Sequence, residues 1–432
     1  MTATTTHFEN SWEFARQLDQ EDELKYFRER FKIPSHGHEH ATYFLGNSLG
    51  LQPRSTELYI SRILEDWERY GVEAFFMGAD PWLEYHDKLT GPLTEIVGAK
   101  SSEIVVMNQL TVNLHLLMSS FYRPVGKKNK ILCEAKAFPS DQYMLESQCR
   151  IHGLDPESTI IEVSPRKGED LIRMEDILQK IEDHKNELAI VLWGGLNYYT
   201  GQYFDIAPIS KAAHKADALI GVDFAHGAGN LALQLHDWDL DFACWCSYKY
   251  LNSGPGAIGA AFIHERYHNR VVNRMAGWWG YRKETRFKME KGFIPVNSAE
   301  GWQLSTPSPI LYASHLAALE IFEEAGMERL RSKSVRLTGF LQFLLDEINR
   351  KIPDERIRVL TPREVERKGC QLSMLVPGKG RKIYDSLMRE GIFVDWREPD
   401  VIRLAPVPLY NRFDEVWRFA KELEEALNSV TR

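Results

Sequence analysis

Two polar residues sit where apolar stretches end, and their types belong to acid–base and nucleophilic chemistry. Asp223 closes the run ALIGV (218–222) and opens Asp223-Phe224-Ala225-His226. A carboxylate at the end of an apolar strand is costly to ionise without a cationic partner. Lys249 lies in WCSYKYLNSGPGAIGAAF (245–262), between Tyr248 and Tyr250 and ahead of a glycine-rich turn. A lysine desolvated by such neighbours loses basicity and becomes a usable amine nucleophile. Alone, each has a plain structural explanation. Asp223 could cap a following helix, although the GAGN that follows is glycine-rich and polar; Lys249 could run out to solvent beside two core tyrosines.

Together they are parts of one kind of site. A strand-end Asp holds a pyridine nitrogen protonated, and a Lys near a glycine-rich turn forms a Schiff base, which are the two protein groups that pyridoxal 5'-phosphate requires. Its phosphate needs a helix N-terminus and a small hydroxyl. Leu110-Thr111, after the apolar run 104–107 and at the start of a helical stretch, offers both. Its ring needs an aromatic face, which Phe138 in Phe138-Pro139-Ser140-Asp141 can supply. Four such features in this chain order are far more specific than any one of them.

Ligands in open α/β sheets bind outside the carboxyl ends of the strands, so strands must alternate with helices here. From about residue 88 they do. Short apolar runs at 104–107, 131–132, 188–193 and 218–222 alternate with helical stretches at 110–122, after Phe138, and at ISKAAHKAD. The pattern predicts an α/β protein with a mostly parallel central sheet covered on both faces. Upstream, the apolar spacing from Trp12 to Phe31 predicts one helix stopped by Pro34, HGHEH (36–40) a polar loop, and 55–70 a helix with Leu58, Ile63, Leu64 and Trp67 as its apolar positions. Downstream, two long helices (310–326 and 329–349), a strand–helix–strand pattern and a final helix predict a smaller α+β unit beginning after STPSP. The expected division is an N-terminal segment (1–50) against the small domain and the site, a large cofactor domain (51–308) and a small C-terminal domain (309–432).

Composition narrows the class without naming a reaction. The 432 residues carry 53 basic and 61 acidic side chains, a net charge of −8, which disfavours nucleic acid as a partner. Five cysteines are too few and too odd in number for a disulfide scaffold. The N-terminus has neither the basic nor the apolar region of a signal peptide, and no run approaches the length of a membrane span. A cytoplasmic location is expected.

Longer stretches carry a resemblance. YFLGNSLGLQP (43–53), LTVNLHLLM (110–118), EAKAFPSDQY (134–143), NYYTGQ (197–202), DFACWCSYKYLN (241–252), GWWG (277–280), TRFKM (285–289) and RLAPVPLYN (403–411) are similar to kynureninase, a family of fold-type-I pyridoxal phosphate enzymes, over nearly the whole chain. The resemblance implies hydrolytic Cβ–Cγ cleavage of L-kynurenine, or its 3-hydroxy form, to the anthranilate and L-alanine, within tryptophan breakdown. It implies Lys249 as the Schiff-base lysine, Asp223 as the pyridinium partner with His226 beside it, and Phe138 against the ring. Pro139, Ser140 and Asp141 would line the cofactor, and Leu110 and Thr111 would hold the phosphate. Tyr248 would be both a phosphate ligand and a proton-transfer group. Trp278 and Thr306 would reach the phosphate from a neighbouring subunit, making a homodimer obligatory. Arg403 would clamp the substrate carboxylate, with Ser48 and Phe75 as further substrate contacts. The chain departs from some family members at Gly194, where they carry a small hydroxyl residue. Phe75 and Thr306 fall where the family varies, which bears on the choice between the two substrates.

Two other readings compete. A cysteine desulfurase or aminotransferase shares the fold, but a desulfurase usually has His before the lysine and a cysteine on a mobile loop; here Tyr248 precedes Lys249, and Cys244 and Cys246 read as core. A non-enzymatic metal-binding module rests on His36, His38 and His40; a solvated loop explains these better, and no metal is expected.

Overall fold

The computed structural model describes residues 7–352 and 357–431. Its centre is a seven-stranded sheet of β1 (Ile104–Val106), β2 (Lys130–Glu134), β3 (Ile160–Val163), β4 (Leu188–Gly194), β5 (Leu219–Asp223), β6 (Phe242–Trp245) and β7 (Ala260–Ile263), in the order β1-β7-β6-β5-β4-β2-β3. Only β7 runs antiparallel to its neighbours. The central strands read as continuous apolar runs because both faces are covered. One face packs against a core containing Leu132, Val191, Val222 and Phe262; the other meets Ile131, Ile190, Phe242 and Ala261. Strands β6 and β7 lay hidden in the sequence inside the motif-rich stretch 241–262.

Helices α1 (Trp12–Glu21), α2 (Thr56–Tyr70), α3 (Asp87–Val97), α4 (Leu110–Phe121), α5 (Pro139–Ile151), α6 (Met174–Asp183) and α7 (Ile206–Lys215) precede two long ones, α8 (Pro309–Ala325) and α9 (Met327–Lys351). A second, antiparallel sheet follows: β8 (Arg358–Val359), β9 (Leu372–Leu375), β10 (Asp395–Arg397) and β11 (Val401–Leu404), in the order β8-β9-β11-β10. Helices α10 (Gly380–Arg389) and α11 (Phe413–Thr431) pack on it around Leu344, Met374, Ile402 and Phe419.

One expectation needs correction. The N-terminal helix does not reach Phe31; it ends at Glu21. Buried Asp22 accepts from the Leu24 amide (2.9 Å) and pairs with Lys333 on α9 (2.7 Å), and this side-chain turn wins over helix continuation. Helix α2 forms where its spacing predicts, but Leu58, Leu64 and Trp67 are exposed and only Ile63 of the four is buried. The apolar stripe is real, yet three of its four positions are exposed, while the helix packs against α8.

Candidate active site

Strand order brings the sequence features together. Asp223 ends β5, Gly194 ends the adjacent β4 in register with it, and Glu134 ends β2 beyond. The turn after β1 puts Asn108 in the left-handed region (φ 48°), braced by Asn113, whose Nδ2 donates to the Met107 carbonyl (2.8 Å). That turn starts α4 at Leu110 with no side chain capping its first turn. The leading amides of α4, with their positive dipole end, are thus left for an anion.

These ends surround a cavity lined by Leu110, Thr111, Phe138, Ser140, Asp141, Asp223, His226, Tyr248 and Lys249. Pro139 does not line it; it occupies the first position of α5, where its missing N–H costs nothing. The Lys249 amine lies 3.0 Å from His226 Nε2 and 5.8 Å from the centres of the Phe138 and Tyr248 rings. Burial, then the charge of Lys249, holds the His226 imidazole well below its ordinary range, so it is neutral and its Nε2 can accept from the Lys249 amine. The Lys249 segment is seated by the loop at 46–50. The Gly50 amide donates to the Tyr248 carbonyl (2.8 Å), and a Cβ on Gly50 would lie 2.2 Å from the Lys249 carbonyl oxygen. Only glycine allows that approach.

Two carboxyl groups feel the charge of this amine, and a third lines the same cavity. Burial raises Asp223 above its ordinary range, against the Lys249 charge and the Ala225 amide (2.7 Å), which lower it. Burial and the Asp223 charge push Asp141 higher still, so Asp141 keeps its proton and Asp223 ionises first. The third, Glu134, escaped the sequence reading, although it ends an apolar strand just as Asp223 does. Its Oε2 accepts from Asn197 Nδ2 (2.8 Å), and burial, with Asp223 nearby, pushes it up to about 7. Glu134 also explains Gly194: a Cβ there would lie 2.3 Å from Glu134 Oε1, so the room another side chain would need holds this carboxyl.

A raised acid pKa has a definite stability signature. Between about 4.5 and 7 the folded state holds the Glu134 proton and the unfolded state does not, so this contribution is complete below 4.5 and is lost as pH rises to 7. Glu134→Gln removes the titration. Relative to this variant, the cofactor-free parent should lose on the order of 3 kcal/mol of stability across that interval. Parallel denaturant titrations of both proteins check it; a pH-independent difference would mean Glu134 ionises normally.

The remaining sequence-selected residues lie elsewhere. Arg403, 1% exposed, donates to the Tyr198 carbonyl (2.6 Å) and pairs with Asp395; Ser48 Oγ donates to the same carboxylate (3.4 Å). Tyr198 itself lines the cavity, its ring edge-on to Phe138 at 5.2 Å. Phe75 packs against Trp82 and Trp279. Trp278 and Thr306 share a separate surface hollow with Leu116 and Met275, and Trp278 is 44% exposed. The histidines of HGHEH lie on an exposed two-stranded hairpin (Ser35–His36 with Glu39–His40); among the described residues they join no group of three converging ligand atoms. All five cysteines are buried and unpaired, so none offers the exposed thiol of a desulfurase.

The architecture matches solved structures at low sequence identity. A cysteine desulfurase from Thermococcus onnurineus aligns with a TM-score of 0.74 at 18% identity, covering 90% of this chain and 95% of that one. The protein C-DES, solved with glycine covalently linked to its PLP cofactor, aligns at 0.74 and 17%, covering 89% and 96%. The fold is that of the fold-type-I pyridoxal phosphate-dependent enzymes, with the cavity at the carboxyl ends of the parallel strands. Relatives in sequence narrow the class. The kynureninase of Flavobacterium psychrophilum is 51% identical over 421 residues, 97% of this chain and 99% of that one; the kynureninase of Myxococcus xanthus is 52% identical over 419 residues, covering 96% and 97%. Residues 330–423 match the family described as Kynureninase C-terminal domain. The chain belongs to the kynureninase family.

Proposed function

We propose that this enzyme binds pyridoxal 5'-phosphate in the strand-end cavity and hydrolyses the Cβ–Cγ bond of L-kynurenine, or of 3-hydroxy-L-kynurenine, releasing the anthranilate and L-alanine. The observation that carries the reading is the buried Lys249 amine among Asp223, His226 and the exposed Phe138 ring, opposite the uncapped start of α4. The cavity also suits the cofactor because it contains unpartnered buried polar atoms, His226 Nδ1 and Asp141 Oδ1.

When bound, pyridoxal phosphate supplies a covalent anchor for the substrate amine and an electron sink for its α-carbon. Leu110 and Thr111 would hold the phosphate with amides and a hydroxyl, Phe138 would cover one ring face, and Asp223 would keep the pyridine nitrogen protonated. Lys249 takes the proton from the substrate α-carbon, aided by the neutral imidazole at 3.0 Å, which can share that proton. Burial raises the Tyr248 phenol, so it remains protonated at neutral pH and can donate as the aryl fragment departs. Arg403 suits the substrate carboxylate, being buried, always charged and able to bind it in two places. Purified holoenzyme should absorb in the visible and release anthranilate fluorescence from L-kynurenine; a colourless protein silent on this substrate would sink the proposal. Comparing kcat/KM on both substrates assigns the preference, with Phe75 and Thr306 the positions to vary.

The proposed assembly is a homodimer with shared sites. Trp278 and Thr306 lie outside this chain's own cavity, yet they adjoin an exposed apolar surface that includes Met275 and Phe287, with Val72 and Met77 also exposed. If Trp278 serves the partner's phosphate, two inactive proteins should rescue each other. Lys249→Ala and Trp278→Ala subunits, unfolded together and refolded as a mixture, should regain activity that neither has alone, because one hybrid site is intact. A mixture as inactive as its components would assign both residues to one subunit's site. The division at 51–308 and 309–432 is proposed on the two sheets, with α8 as a link that packs Tyr312, Leu319 and Phe322 into the core of the larger sheet, and a reducing cytoplasm suits five unpaired thiols.

A further inference from the structure

The carboxylate clamp already holds a carboxylate. Asp395 on β10 lies directly across from Arg403 on β11, and its Oδ2 contacts Arg403 Nη2. The same oxygen lies 3.3 Å from Nη2 of Arg397, two residues along β10, and accepts from Ser48. One acidic side chain is therefore shared by two guanidinium groups. Arg403 is 1% exposed and Arg397 38%, and in both the Nε atom is buried without an acceptor. Each arginine thus has unused donor capacity on the side chain that a second carboxylate could fill.

We propose that Asp395 is a surrogate ligand, which occupies Arg403 in the free enzyme and is passed to Arg397 when the substrate carboxylate arrives. The inference rests on Arg403 receiving that carboxylate. A buried guanidinium stripped of its counter-ion is strongly unfavourable, so Arg403 does not release Asp395 without a replacement anion. Arg397 gives Asp395 somewhere to go: it already touches the same oxygen, is more exposed, and needs no backbone movement, being two residues along the same strand. Binding becomes an exchange of one carboxylate for another, which gives each arginine its own carboxylate where the two shared one before. The arrangement makes the clamp selective. An amine without a carboxylate cannot displace Asp395, so the clamp adds nothing to its binding. The backbone contact from Arg403 to Tyr198 holds the guanidinium in place during the exchange.

The roles of Asp395 and Arg397 separate in a double-mutant cycle on the holoenzyme. The readouts are KM for L-kynurenine and the dissociation constants of L-alanine and of ethylamine, which is alanine without its carboxylate, measured from the cofactor's visible band. Asp395→Asn removes the competitor's charge and should lower KM and the L-alanine constant about tenfold, leaving ethylamine unchanged. Arg397→Gln removes the receiving site and should raise both by a similar factor. In the Asp395→Asn background, Arg397→Gln should have no further effect. Weaker or unchanged L-alanine binding in Asp395→Asn overturns the proposal and makes Asp395 a support for Arg403, as does an Arg397→Gln effect that persists in the double variant. Arg403→Lys separates the two levels of the argument. If it raises KM while Asp395→Asn fails to lower it, the exchange alone is wrong. If it leaves KM unchanged, Arg403 is not the carboxylate receiver and the exchange falls with it. Retention of the visible band in each variant shows that the site is folded.

Discussion

Lys249→Ala is expected to reduce L-kynurenine hydrolysis by roughly 10⁴-fold or more, because in the proposed site this one amine would anchor the cofactor and carry the α-proton. The cavity has no understudy. Lys249 is the only lysine lining it, and the imidazole 3.0 Å away is held neutral and is itself hydrogen-bonded to that amine. The loss should fall on kcat, and the visible absorbance of the bound cofactor should move, since its anchor is gone. The fold should survive, because replacing a cavity-lining lysine deletes no core packing. Single-turnover rates and spectra of the purified variant measure both effects. Turnover within tenfold of the parent would remove Lys249 from the chemistry.

Asp223→Asn is the second large effect, expected at about 10²- to 10³-fold in kcat, matching the 3–5 kcal/mol typical of a broken buried charge pair. Asparagine keeps the hydrogen bond from the Ala225 amide and loses only the charge. Cofactor affinity should fall much less than turnover, because the phosphate would be gripped separately by the start of α4. The neighbouring carboxyls cannot substitute. Asp141 is held protonated by burial and by Asp223 itself, and Glu134 is engaged by Asn197. Removing the Asp223 charge should also let Asp141 ionise at lower pH, shifting the acid limb of the pH–rate profile. Unchanged kcat with normal cofactor content would sink the assignment of Asp223 as pyridinium partner.

Several parts of this site were legible in the sequence because each carries a local physical signal. An Asp or Lys at the end of an apolar run is anomalous on its own, and a Leu-Thr pair opening a helix after a strand is a readable phosphate seat. Glu134 carries the same strand-end signal, but a lone carboxyl there is equally a solvated strand end, and its burial against Asn197 comes from a residue 63 positions away. Arg403 was legible only through resemblance. Its surroundings are not: Asp395 and Arg397 precede it on another strand, and their meeting depends on an antiparallel register that no short window of sequence displays. Helix α2 shows the converse. Its apolar spacing predicted a helix, yet spacing cannot say whether the stripe faces this chain or another surface.

By itself, the sequence determined the alternation of strands and helices, the candidate amine and its acidic neighbour, and the family. These follow from local periodicity and from residue types that are expensive to bury without a purpose. The tertiary structure decided what the charges do to one another. Three carboxyls gathered in one cavity, the neutral state of His226, the room Gly194 leaves for Glu134 and the sharing of Asp395 between two arginines all depend on strand order and register. Electrostatic effects grow as distance shrinks and solvent is excluded, and both are properties of the folded chain.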